Sequence, residues 1–425
     1  MSADGSFGLI GAAASDRPET GEAPFGLDEM FFSRTDERGV IAAFNSVFVR
    51  VADYEPSALL KAPHRIIRHP DMPKGVFWLL WQGLQRGNLM GAYVKNRARD
   101  GLHYWVYAMI QPVEGGYLSI RIKPSSAQLA VVEREYETLL RREADEGLTP
   151  EQSGRLMLER LTELGWRNYA AFQTDSIAAE VQSRNEGLGR GRDPDLDNLA
   201  DLLRHSRKLR AEVRDLQSRF ANANLLTINM QVVATKLHDG RRTISEIAKN
   251  YGLMVTDIRA HLKVFNRIAQ DSDPFEASPE AAALFRLCAA RLVREASDQY
   301  SAEQGEMPGV RRDLELVMMD DRASWAEAQA EAGLIQMAKA SAEMHRSVGH
   351  LRRLIVGLSI VRIACRVESG VLAKRSQGLE TIVARLDALQ EEISDVLDRI
   401  DSAGMAGMES LARYRQSSDP LGRHC

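Results

Sequence analysis

Cysteine is nearly missing from this chain of 425 residues: there are three, Cys288, Cys365 and Cys425, far apart and without paired spacing. That excludes a thiolate zinc cluster and a disulfide framework, and it points to a reducing compartment. Aromatic residues are scarce as well, at 6%, yet three of the five tryptophans, Trp78, Trp81 and Trp105, fall in one short stretch. An aromatic N-terminal part is thereby set apart from an Ala/Leu/Arg/Glu-rich remainder. No excess of one charge exists: 55 Lys and Arg against 59 Asp and Glu leave a net charge of −4, which speaks against a broad nucleic-acid footprint. The most apolar late stretch, "LIVGLSIVRIAC", is interrupted by Arg362 and is too short to span a bilayer. The first residues lack the basic start of a signal peptide, so 1–24 reads as a mobile tail and the chain is expected in the cytoplasm. There is no P-loop, kinase nucleotide-binding set, cyclase signature or metal-ligand spacing, and no enzymatic activity is expected.

What is present from 25 to 126 is a series of short strands around a helical insert. "MFFSRTDERGVIAAFN" reads as two strands joined by a D-E-R-G turn. "KGVFWLLWQGLQRG" has helical spacing and stops at Gly87. "GAYVKNRARDGLHYWVYAMIQPV" is a hairpin turning at Asp100-Gly101, and "GGYLSIRIKP" is one more strand ended by Pro124. The sum is a five-stranded antiparallel sheet with helices, an α+β domain.

From 127 onward no strand is expected: a helical connector covers 127–192, and long helices follow. Apolar or small residues recur every three and four positions at Leu199, Leu202, Ser206, Leu209, Val213, Leu216 and Phe220. After "HDGRR" they resume at Ile247, Tyr251, Met254, Ile258 and His261. Residues 193–270 therefore read as an antiparallel hairpin with its tip near Gly240. A second helical region covers 271–415, with seams at Leu351, Leu354 and Leu358 and at Ile382, Leu386, Leu389, Ile393, Val396 and Ile400; 416–425 is a tail. These seams are expected to pack on one another or on a partner chain, most simply a homodimer.

"RHPDMP" (68–73), "VKNR" (94–97), "DGLHYWV" (100–106) and "GYLSIRIKPS" (116–125) occur in order within one continuous stretch, Phe31 to Ser125. That stretch resembles the PAS domain of bacterial aerotaxis receptors. The resemblance implies a five-stranded palm holding flavin adenine dinucleotide (FAD) without covalent linkage and reporting its redox state. It also implies that Asn45, Arg68, His69, Asp71, Trp81 and Asn96 occupy flavin-site positions. The chemistry of these residues agrees: the Arg68 fork suits a diphosphate or a ring carbonyl, Asp71 can orient Arg68, and Trp81 offers a flat face. The prolines at 63, 70 and 73 fix the backbone around them. Two positions depart from the family: Met90 stands where Trp is usual, and Ala92 where Gly is usual. Haem is the competing group, with His64, His69 and His103 available.

The helical part resembles, more loosely, the hairpin tip of chemotaxis transducers, through Asn229, Ala234, Lys236, Asp239, Gly240 and Arg241; Val233 stands where that family has Glu. The resemblance implies a chemotaxis coupling protein and a histidine kinase, or other receptors, as partners. Two other readings stay open. One is a cofactor-free PAS scaffold for protein interactions. The other is a helix-turn-helix in "ISEIAKNYGLMVTDIRAHL", with Gly252 at the turn and Thr256, Asp257, Arg259 and His261 offered to DNA.

Overall fold

The computed structural model of the chain describes residues 17–236, 241–269, 273–305, 307, 309–372 and 377–418. The chain divides into two compact units, Met1–Asp193 with Phe285–Ala330, and Pro194–Leu284 with Glu331–Cys425.

The first unit is built on a five-stranded antiparallel sheet. Its strands are β1 (Met30–Asp36), β2 (Ile41–Phe44), β3 (Met90–Arg97), β4 (His103–Val113) and β5 (Gly116–Ile122), in spatial order β2-β1-β5-β4-β3. All four pairings are antiparallel, so β5 lies at the centre. The β1–β2 turn is closed by Asp36, whose carboxylate accepts from the backbone N–H of Arg38 and Val40, both at 2.9 Å, while Gly39 takes a positive φ of 77°. Asp100-Gly101 makes the β3–β4 turn as expected, with Gly101 at φ 96°.

Because side chains alternate across a strand, the sheet has two distinct faces. One face lies beneath α1 (Ser46–Ala52), α2 (Pro56–Leu59), a 3₁₀ turn (His64–Ile67) and α3 (Lys74–Gln85). The other is covered by α4 (Gln128–Asp145), α6 (Tyr169–Gly187) and parts of α9 (Pro279–Ala302) and α10 (Arg312–Leu372). On that outer face Trp105 meets Tyr136 of α4, and the Tyr107 hydroxyl donates to the Gln173 carbonyl of α6 at 3.0 Å. Phe32 meets Tyr300 of α9, and Arg34 forks onto Glu315 of α10 at 2.7–2.9 Å. The helices between 127 and 193 are thus layers of the same unit as the sheet, and so is the stretch 285–330. Helix α5 (Pro150–Glu163), started by a Thr149/Gln152 capping box, crosses α3 where glycines meet it: a Cβ on Gly154 would lie 2.4 Å from the Trp78 ring.

The second unit is all helical. Its core is one cluster from four helices: α7 (Pro194–Lys236), α8 (Arg241–Ala269), the later part of α10, and α11 (Gln377–Ser418). Leu209, Val213, Leu216 and Phe220 meet Ile247, Tyr251, Val255 and Ile258, together with Met344, Val348, Leu351, Ile382, Leu386, Ile393, Val396 and Ile400. Ion pairs flank the seam: Arg219 with Glu392, Arg399 with Glu212 and Asp215, Arg352 with Asp398. The heptad seams expected to meet each other or a partner chain therefore meet within one chain. Helix α8 is continuous through Gly252, which corrects the helix-turn-helix reading. Tyr251 and Val255 are buried on either side of the glycine, and the packing keeps the helix straight where a turn was possible. Asp239 and Gly240, at the expected tip, lie outside the described residues. Among the described residues no helix is long and apolar enough to cross a membrane. Of the cysteines, Cys288 is buried and unpaired, and burial pushes its thiol up to about 12.

Candidate functional site

The residues expected from the sequence fall in four places. Asn45 is buried at the start of α1, and all its polar atoms are in use. Its Oδ1 accepts from the backbone N–H of Phe32 at 3.0 Å and of Phe48 at 3.3 Å, and its Nδ2 donates to the Met30 carbonyl at 2.8 Å. It caps the helix and pins it to β1. Trp81, on α3, is 37% exposed and sets its edge against Tyr117, with centroids 5.4 Å apart.

Arg68, His69 and Asp71 stand together at the opposite end of α3. The Arg68 guanidinium lies 3.8 Å from the centroid of the Phe77 ring. Burial lowers its pKa, and the nearby Glu143 carboxylate works against that shift. His69 Nδ1 accepts from the backbone N–H of Asp71 at 3.0 Å, and the Asp71 carboxylate receives Lys95 at 3.3 Å. Burial, then the charge of Lys95, lowers the His69 pKa. Asp71 thus pairs with Lys95, where the expectation had it orienting Arg68. Arg65, Arg68, His69, Lys74, Arg97 and Glu143 line an open recess of about 630 Å³. Glu143 is the one carboxylate in that lining, and it is engaged by the Lys74 backbone N–H at 2.7 Å and the Ser153 hydroxyl at 2.5 Å. The recess therefore presents a surplus of positive charge to solvent.

Asn96, joined to Arg68 by a backbone bridge, belongs to a fourth group, which sequence reasoning otherwise missed. On the inner face of the sheet, Asn96 lies opposite Tyr104, Ala108 opposite Arg121, and Ser33 opposite Ser119. These positions share one face by the two-residue period of the strands. Four polar atoms there are buried and have no hydrogen-bond partner among the described residues: Asn96 Nδ2, the Tyr104 hydroxyl, Ser119 Oγ and Arg121 Nη1. Arg121, on the central strand, is 4% exposed. Its Nη2 donates to Ser33 Oγ at 2.9 Å and abuts His64 Nε2 at 2.5 Å, and the guanidinium lies 5.5 Å from the Phe48 ring. No carboxylate pairs with it among the described residues. Burial pulls its pKa down to about 10, so the group still carries its charge at neutral pH. Burial, and secondarily the charge of Arg121, holds His64 well below its usual value, so His64 is neutral and accepts from Arg121. An axial ligand at His64 would set a metal cation beside that guanidinium, which disfavours haem there.

Unsatisfied buried donors are uncommon because each costs about 1–3 kcal/mol. Their concentration on one face suits a flat ring that presents acceptors, and the isoalloxazine ring of a flavin carries carbonyl oxygens and ring nitrogens of that kind. The basic recess suits phosphates. The donor chemistry present suits a flavin and its phosphates, with the four inner donors packed out of reach of water. Met90 and Ala92, the two departures from the family, are both buried on this face; a Cβ on Gly83 of α3 would lie 2.1 Å from Met90 Sδ. The Met90 thioether has taken the space over Gly83.

No family model matches the chain. The chain is 40% identical over 121 residues to the aerotaxis receptor of Escherichia coli (strain K12), a match over 27% of this chain and 24% of the receptor. The chain thus spans about a quarter of the length of that curated relative. Among solved structures, it overlaps a light-oxygen-voltage domain studied with a flavin analogue, at 22% identity, over 28% of this chain and 89% of that one, with a TM-score of 0.22. It also overlaps a PAS domain from Colwellia psychrerythraea, at 17% identity, over 22% and 85% of the two chains, with a TM-score of 0.20. With its five antiparallel strands and the helices beneath them, the N-terminal part of this protein is an aerotaxis-receptor-like PAS domain.

Proposed function

We propose that this protein is a cytoplasmic redox sensor whose PAS domain holds FAD, and that it acts in aerotaxis-like signal transduction without catalysing a reaction. The observation that carries the reading is the set of four unpartnered buried donors on the inner face of the sheet, close to a phosphate-friendly recess. Sequence likeness to an aerotaxis receptor supports it. When bound, the flavin supplies a group that gains electrons and changes its protonation. This chain's own residues hold and read it: Arg121, Ser119, Tyr104 and Asn96 face the ring, Arg68 and His69 face the phosphates, and Trp81 closes the far end.

The outer face of the same sheet carries the output. Glu180 of α6, fully buried, accepts from the Tyr93 hydroxyl at 2.6 Å and the backbone N–H groups of Ser125 and Ser126 at 2.6 and 3.0 Å. It ties β3 to the residues between β5 and α4. Arg34 on β1 holds Glu315 of α10, a helix whose later residues belong to the second unit. A change at Arg121 on β5 therefore has short routes to α4, α6 and α10. A ligand biases those helices only by its differential affinity for two arrangements. In this reading the second unit self-associates as a homodimer and meets a chemotaxis coupling protein, a histidine kinase or another receptor.

The test is a visible absorption spectrum of the purified full chain, followed by acid release and chromatography of the chromophore. FAD in near-equal amount to protein supports the reading. A colourless protein that stays colourless after incubation with FAD and riboflavin refutes it and leaves the cofactor-free scaffold in its place.

A further inference from the structure

We infer that the outer face of α10 between Val356 and Val367 is a self-pairing surface, covered by the same face of a second copy of this chain in antiparallel register. The inference rests on the self-association included in the functional reading and adds where it happens and in which orientation.

Three sides of α10 are already taken in the second unit. Met344, Val348, Leu351 and Ile355 belong to the bundle core. One flank is held by α11: Arg352 pairs with Asp398, Arg366 pairs with Asp387, and the Ser359 hydroxyl accepts from Gln390. The other flank lies close against α8, where a Cβ on Gly357 would meet Met254 Cε at 2.4 Å. With about 3.6 residues per turn, the side that is left carries Val356, Ile360, Ile363 and Val367. These four are 55–68% exposed. A single exposed valine needs no explanation. Four β-branched residues in one row at heptad spacing make a seam of the kind that pairs helices.

Two features select the occupant. The row reads the same in both directions: Val, Ile, Ile, Val, at steps of four, three and four. A two-fold axis midway between Ile360 and Ile363 therefore sets Ile360 of one copy on Ile363 of the other and Val356 on Val367, so every apolar side chain meets an apolar one. The row also continues toward the N-terminus through exposed basic positions, Lys339, Arg346 and Arg353. A parallel copy stacks each of these cations on itself, whereas an antiparallel copy carries them past the overlap. A bilayer is a poorer occupant, because a row one side chain wide between α8 and α11 offers no broad apolar face. The eight side chains covered amount to roughly 900 Å² of surface, at the low end for specific complexes, so a reversible dimer with a Kd on the order of 1–100 μM is expected.

Sedimentation velocity of the purified full chain over about 1–300 μM reads this association. Wild type is expected to pass from one chain to two across that range. Ile360→Glu and Ile363→Lys each bury an unmatched charge against an isoleucine of the other copy and are expected to weaken the dimer by more than roughly 10-fold. The double variant Ile360→Glu/Ile363→Lys sets acid against base at both contacts of an antiparallel pair and is expected to recover most of that loss; a parallel pair sets like against like and recovers nothing. Both positions are exposed in one copy, so the variants are expected to keep wild-type helicity and melting temperature at low concentration. A melting temperature that falls there overturns the inference, because the row is then packed within the chain. A dimer that neither single change weakens overturns it and leaves self-association to another surface. Loss in the single variants without recovery in the double overturns the antiparallel pairing. A wild type that stays a single chain at the highest concentration overturns the inference and the self-association in the functional reading together, while the flavin reading, which absorbance tests, stands.

Discussion

Replacing Glu180 by alanine should unfold the first unit far more readily than its position on a connecting helix implies. The carboxylate is fully buried and accepts four hydrogen bonds: from the Tyr93 hydroxyl, the Ser126 hydroxyl, and the Ser125 and Ser126 backbone N–H groups. The two backbone donors lie just before α4, where the helix end favours a negative charge. Alanine leaves all four donors without a partner and opens space beneath Tyr93. Breaking a buried, charge-assisted cluster by removing one member costs about 3–5 kcal/mol. For a unit of this size that corresponds to a fall in melting temperature on the order of 6–20 °C. Glu180→Gln keeps the volume and one acceptor oxygen and should cost less, about 1–2 kcal/mol. Tyr93→Phe removes one of the four donors and should cost about 1 kcal/mol. The assay is thermal unfolding followed by circular dichroism, with near-ultraviolet ellipticity reporting the aromatic sheet. A Glu180→Ala protein that melts within 3 °C of wild type would mean that the cluster is hydrated in solution, and the reasoning would fail.

Three further outcomes are expected. His64 is held well below its ordinary pKa by burial and by Arg121, so the unfolded chain takes up a proton near pH 6.5 that the folded chain refuses. Stability is therefore fully present above that pH and is lost as pH falls below it, by up to about 1.4 kcal/mol per pH unit, and His64→Gln should flatten the slope of denaturant midpoints between pH 6.5 and 5. Gly83→Ala should destabilise by about 1–3 kcal/mol through its clash with Met90. Gly83→Ala with Met90→Ala should then cost less than the two single changes summed, as a chemical-denaturation cycle would show. Gly252→Ala in α8 should stabilise the helical unit by about 1 kcal/mol, because the glycine sits inside a continuous helix; a glycine needed for a turn would give a loss instead.

Much of the fold could be read from local pattern. The β3–β4 hairpin follows from Asp100-Gly101 between alternating apolar runs, and α3 stops before Gly87, which takes a φ of 79°. The long seams follow from three-and-four spacing, although the buried set in α8 moves to Val255 and Leu262 where a strict repeat pointed to Met254 and His261. A straight helix of 3.6 residues per turn drifts against a seven-residue repeat, and the core follows the helix. Grouping was less legible. Arg34 and Glu315 are 281 positions apart, and no local signal joins them.

The candidate site divides the same way. "RHPDMP" advertises charge and rigidity on a surface loop, so Arg68, His69 and Asp71 stand out in the sequence. Arg121 and Ser119 also had a signal, two polar residues at period two between Leu118, Ile120 and Ile122. Its meaning depends on β5 being the central strand, which strand order alone reveals. Asn45 illustrates the reverse: an asparagine in a plausible position turns out to spend every polar atom on β1 and α1.

One chain supplies all four helices of the second unit's core. Assembly of that core is then a unimolecular event. Closing that core therefore carries no dependence on protein concentration, whatever the assembled chain then does through its outer surface. The four helices of that core are also free to diverge from one another, because within one chain no symmetry makes them copies. Whatever message reaches such a bundle arrives at one defined side of it, and its reply can be written on another.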